Sequence, residues 1–94
     1  MPRRSSMTVP LFVRGNENTI ANNVISNSHA ASIHVQGSRN ILLNNTTDRD
    51  VILEGDGNVI SGLVFTTPEA RLVVRGDNNR ILGVPDERVL YTTV

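Results

Sequence analysis

The chain has 94 residues, enough for one domain. Nine Arg and no Lys balance nine Asp and Glu, so the net charge is zero, which excludes a general electrostatic pull toward nucleic acid or an anionic membrane. With no Cys there is neither a disulfide framework nor a thiolate metal site, and no apolar stretch approaches membrane-spanning length.

Residues 1–10 read as a polar N-terminal arm bounded by Pro2 and Pro10. Arg3 and Arg4 are not followed by an apolar h-region, so the segment is not a secretory signal. Residues 11–84 then repeat one unit four times, anchored at Gly15, Gly37, Gly55 and Gly76. An aliphatic residue stands four before and two before every Gly, as in Leu11-Phe12-Val13-Arg14-Gly15 and Val51-Ile52-Leu53-Glu54-Gly55. Three after each Gly comes Asn18, Asn40, Asn58 or Asn79, and five after comes Ile20, Leu42, Ile60 or Ile81.

The glycines fall 22, 18 and 21 residues apart, the length of one solenoid coil. Alternating aliphatics predict a short strand with one face inward. Gly permits a turn with positive φ. Asn is expected to close the bend, because it tolerates the left-handed region and bonds nearby backbone. The next aliphatic opens a second inward-facing strand, a third follows around Val24, Thr46 and Val64, and a loop of variable length returns the chain. Asn22, Asn23, Asn44 and Asn45 crowd the bends further, and stacked coils set the Asn residues above one another at roughly 4.8 Å, where their side-chain amides are expected to bond as a ladder.

These Gly-x-x-Asn-x-Ile/Leu units resemble the parallel β-helix repeat of the pectin-lyase-like superfamily, over about residues 11 to 84. The resemblance implies an all-β fold, a short right-handed parallel β-helix of about four coils. That superfamily holds polysaccharide lyases, hydrolases and epimerases as well as phage tailspikes and other virion proteins, so the fold leaves the chemistry open.

The outward columns are more informative. Three before each Gly stand Phe12, His34, Ile52 and Val73, an apolar column where a solvated strand would be polar. Single surface aliphatics are ordinary, but a whole column predicts a protein–protein interface. One before each Gly stand Arg14, Gln36, Glu54 and Arg75, with Glu54 and Arg75 as cross-strand neighbours. Ile41, Leu43, Val59 and Leu82 are further outward candidates on the second strand. A lone stack of about four coils with two open ends is marginal, which favours association. By analogy with phage β-helix proteins, the expected assembly is a homotrimer about an axis along the solenoid. The C-terminal segment 85–94 leaves the repeat at Pro85 and ends in a β-prone run with Val89, Leu90 and Tyr91 as further interface candidates. It is expected either to cap the last coil or to add a strand to a neighbour.

Chemistry is sparse. Asp48-Arg49-Asp50 is the densest charged cluster, but a return loop is where solvated charge is expected, so an acid/base couple is disfavoured. His29 and His34 have no acidic residue at metal-ligand spacing, and no Gly-x-Ser-x-Gly, Walker or dinucleotide motif is present. Arg75-Gly76-Asp77 and the sequons at Asn44 and Asn45 are accounted for by the repeat itself. The expectation is therefore a non-enzymatic assembly protein without catalytic residues, metal or cofactor. Its partners would be itself and another structural protein, such as a capsid or tail protein, and its concrete setting a virion, as a capsid decoration protein or head spike. The rival is a carbohydrate-binding or carbohydrate-active fragment, with Phe12, Phe65 and Tyr91 the available aromatic faces and Phe65 placed outward.

Overall fold

A computed structural model describes residues 9–92. Most of the N-terminal arm, residues 1–8, and the last two residues of the C-terminal run lie outside them. The first coil is β1 (Leu11–Arg14), β2 (Thr19–Ala21) and β3 (Val24–Ile25). The second is β4 (Ala31–Gln36), β5 (Ile41–Leu43) and β6 (Thr46–Thr47), and the third β7 (Asp50–Glu54), β8 (Val59–Ser61) and β9 (Val64–Phe65). The fourth has β10 (Leu72–Arg75) and β11 (Arg80–Leu82); a 3-10 turn (Asp86–Arg88) then leads to β12 (Val89–Thr92). Corresponding strands stack into three parallel sheets, ordered β1-β4-β7-β10-β12, β2-β5-β8-β11 and β3-β6-β9. The chain is an all-β parallel solenoid of about four turns.

The repeat positions explain the stacking. Residues four and two before each Gly meet their counterparts in register, as Val13↔Val35 and Val51↔Leu72 do. Their side chains form the core with the residue five after Gly: Ile33, Val35, Leu42, Val51, Leu53, Ile60, Leu72 and Val74 are all buried. The glycines are a spine where successive coils touch. A Cβ on Gly37 would overlap the carbonyl of Gly15, one on Gly55 that of Gly37, and one on Gly76 that of Gly55. Gly15, at the head of the spine, meets no such backbone atom.

The bends correct the expectation for Asn. The left-handed residue is the one before it: Glu17 (φ 60°), Arg39 (57°), Gly57 (68°) and Asn78 (60°). Asn therefore stays out of that region and spans coils instead. Asn40 donates to the Gly15 carbonyl at 3.0 Å, and its Oδ1 accepts the Asn18 backbone N–H at 2.9 Å. Asn58 and Asn79 repeat both bonds one and two coils further on. The ladder at this bend thus runs from side chain to backbone rather than from amide to amide, and Asn40 and Asn58 are fully buried within it.

A second left-handed column lies seven residues after each spine glycine, at Asn22, Asn44, Gly62 and Gly83. Beside it Asn45 donates to the Ile20 carbonyl and accepts from both the backbone and the side-chain amide of Asn23. This ladder ends after two coils, because Leu63 takes the place in the third.

The candidate interaction face

Pairing register defines two parallel rails on the outer side of the first sheet. The apolar rail is Phe12, His34, Ile52, Val73 and Leu90, each the direct partner of the next. Leu90 was expected in the interface but not as the fifth member of this column. The ends are the open parts, with Phe12 48% and Leu90 45% exposed. The second rail is Arg14, Gln36, Glu54, Arg75 and Thr92, and it is continuously hydrogen-bonded. Arg14 Nε donates to Gln36 Oε1 (3.1 Å), Gln36 Nε2 to Glu54 Oε1 (2.8 Å), Arg75 Nη1 to Glu54 Oε2 (2.8 Å), and Arg75 Nε to the Thr92 hydroxyl (3.2 Å).

The rails are joined at His34. Its Nε2 lies 2.7 Å from Glu54 Oε1, and its ring centroid is 5.0 Å from that of Phe12. The Arg14 guanidinium carbon lies 5.4 Å from the Phe12 centroid, within cation–π reach. The bonds from His34 and Gln36, with Arg75 adding, outweigh burial and hold the Glu54 carboxyl down at about 2. Sequence spacing offered His34 no acidic neighbour; the coil repeat supplies one from twenty residues away.

Two other interface candidates sit differently. Val89 is in register with core Leu72 and packs against the core, so it faces inward. Tyr91 is in register with core Val74 yet 66% exposed, because β12 is the last level of its sheet among the described residues. Apolar exposure also occurs elsewhere: Ile41 and Leu82 on the second sheet, Val24 and Val64 on the third. Those columns are broken by Thr19, Arg80, Ser61 and Thr46.

Within the Asp48-Arg49-Asp50 cluster Arg49 is exposed, as expected of a return loop, but Asp48 is fixed by hydrogen bonds. Asp48 accepts the Ser28 backbone N–H and the Ser32 hydroxyl, both at 3.0 Å. Burial works to raise its carboxyl, but the bonds from Ser28 and Ser32 prevail and bring it to about 2. A register shift between Ala31 and Ile33 in the β4–β7 pairing accompanies this placement of Ser32, whose hydroxyl also accepts the Arg49 backbone N–H. Thr67 donates to the Asp48 carbonyl, and Arg88 in turn donates to the Thr67 and Ala70 carbonyls while covering the Phe65 ring at 4.6 Å. Phe65 therefore packs against the core beneath a guanidinium, not outward.

Beside these loops lies a cavity of about 310 Å³ lined by Ala30, Arg49, Asp50, Thr67, Glu69 and Ala70. Among the described residues no three His, Cys, Asp or Glu side chains gather at metal-holding distance, and no helix is long and apolar enough to cross a membrane. Of the two sequons, Asn45 is buried and Asn44 exposed.

Fold and face together define a parallel β-solenoid with one two-railed sheet surface. Set against protein-family models, curated proteins and solved structures, the chain matches none.

Proposed function

We propose that this chain is a non-enzymatic structural protein that self-associates through the outer side of its first sheet, as a homotrimer about an axis along the solenoid. The observation that carries this reading is the unbroken register of Phe12, His34, Ile52, Val73 and Leu90. Hydrophobic burial drives association, and a flat column one strand apart at every level lets each copy meet its neighbour without opening a gap. The rail alongside is hydrogen-bonded from strand to strand within the chain, which meets part of its polar demand, and the free Arg14 guanidinium nitrogens belong at the rim of the contact. The most concrete setting is a virion component, a capsid decoration protein or head spike that docks on another structural protein. Sedimentation equilibrium at micromolar concentration is expected to show a species of three chains; a clean monomer with an ordinary cooperative melt contradicts the reading.

A second reading, a carbohydrate-binding module, draws on the loop cavity, where Arg49, Asp50 and Glu69 offer donors and acceptors to hydroxyl groups. Calorimetric titration with acidic and neutral oligosaccharides tests it. Heat that vanishes in Arg49→Ala supports a sugar site, and no heat in the parent protein rejects it.

A further inference from the structure

We infer that His34 makes self-association through this face sensitive to pH, with assembly favoured above neutrality and loosened in mild acid; the inference rests on the self-association proposed above. His34 is the one ionisable member of an otherwise apolar column. It is already half-buried in the isolated chain, with Phe12 on one neighbouring strand and Ile52 on the other.

The charges around it come from three strands. From β1, Arg14 lies over Phe12 and bonds Gln36. From β7, Glu54 lies against His34 Nε2, while Asp50 on the same strand accepts the Arg71 backbone N–H instead. From β10, Arg75 holds the other Glu54 oxygen. Within β4 the neighbouring rail residue, Gln36, is uncharged.

With His34 neutral, Arg14, Arg75 and Glu54 leave one net positive charge on the face of each copy. Protonation makes it two, because Glu54 is already ionised and can absorb no further proton in this range. With the three-fold axis running along this column, His34 of each copy lies at the same level beside the axis, so the added charges face one another in a contact from which water is excluded. Like charges so placed weaken binding. Histidine is the side chain whose ordinary titration falls in this window. In the neutral form its Nε2–H is held by Glu54 and the ring packs on Phe12 as part of the apolar rail.

The test is sedimentation equilibrium at one protein concentration and fixed ionic strength, at pH 8 and pH 5.5. The parent protein, His34→Gln and His34→Phe are compared, with far-ultraviolet circular dichroism confirming the fold at both values. The expected result is about a tenfold or greater weakening of association for the parent at pH 5.5, with none for His34→Gln. His34→Phe, which extends the apolar column, is expected to stay assembled at both values and serves if the Gln variant does not fold. A parent that stays equally assembled at both values, or variants that respond to pH as the parent does, overturns the gate alone. A parent that is a single chain at both values overturns the gate together with the self-association on which it depends.

Discussion

The first bend and the return loop close the same coils by opposite means. At the first bend every coil after the first uses the same few residues: a glycine pressed on the carbonyl of the glycine before it, a left-handed residue, and an Asn that bonds the preceding coil. The return loops, residues 26–30, 48–49 and 66–71, share neither length nor sequence. They are held by single contacts: Ser28 and Ser32 on Asp48, Thr67 on the Asp48 carbonyl, and Arg88 on the Thr67 and Ala70 carbonyls. The bend draws its strength from repetition, and the loops draw theirs from contacts made once, by the Asp48 and Asp50 carboxylates and the Arg49 and Arg88 guanidinium groups.

The largest effect is expected at the glycine spine. Gly37→Ala or Gly55→Ala drives a Cβ into a backbone carbonyl that cannot move without parting the coils. This adds to the strain of a φ of 154° or 136°. A loss of about 4 kcal/mol or more is expected in urea unfolding. Gly15→Ala meets only the Asn18 side chain at 3.2 Å and should cost about 1–2 kcal/mol. Equal costs at the head and the middle of the spine would show that coil-to-coil contact is not what selects glycine.

Next come the Asn residues. Asn40→Ala and Asn58→Ala strip a donor and an acceptor from the backbone of the preceding coil and should cost about 1–3 kcal/mol each. Asn16→Ala loses one exposed bond to the Ser38 backbone N–H, and Asn78→Ala puts Ala in a left-handed position at the solvent side of the bend, so each should cost about 1 kcal/mol or less, below either buried Asn. Equal, negligible losses at all four sites would show that the ladder does not hold the coils together.

Acid loosens the loop and the face over the same range, and the variants tell them apart. Asp48 and Glu54 both ionise at about 2 in the folded chain, below their ordinary 3.8 and 4.5. Their contribution is therefore complete above about pH 4.5 and is lost as pH falls from there toward 2. Thermal melts across that range should show Asp48→Asn and Glu54→Gln each losing stability at neutral pH and losing less of it on acidification than the parent. An unchanged acid slope in Asp48→Asn would mean that the loop carboxylate is not what holds the return path.

The smallest effect concerns Thr47, whose fully buried hydroxyl has no hydrogen-bond partner. Thr47→Val keeps the shape and removes the orphan, so it should leave stability unchanged or raise it by up to about 1 kcal/mol. A clear loss would reveal a partner for that hydroxyl.

What was legible in the sequence is what repeats. The solenoid, its three sheets, the inward aliphatics and the outward column all follow from positions that recur at Gly15, Gly37, Gly55 and Gly76. The cross-coil role of Asn was misplaced because Asn suits the left-handed region on its own. Here the residue before it takes that conformation, even as Glu17 or Arg39. The column Asn22, Asn44, Gly62 and Gly83 carried a readable signal in its restriction to Asn and Gly. Contacts made once, such as Asp48 with Ser28 and Ser32 or Arg88 over Phe65, carry no periodicity, since they depend on where unequal loops end in space. His34 with Glu54 lies between these cases: both positions were readable as columns, and only the stacking shows that neighbouring columns meet.

The measurement that bears most directly on the outer face is the assembled mass of Ile52→Asp, with Gln36→Asp and Leu53→Asp as controls. Ile52 sits mid-column with its side chain outward, whereas Leu53 is fully buried in the core. In a lone chain, Ile52→Asp changes a half-buried side chain on the outer face of a central strand and should cost on the order of 1 kcal/mol while leaving the fold intact; in an assembly it places an unpaired charge in an apolar contact. Sedimentation is expected to show Ile52→Asp as folded single chains, Gln36→Asp still assembled, and Leu53→Asp unfolded. Ile52→Asp protein that stays assembled and melts like the parent would contradict self-association through this face.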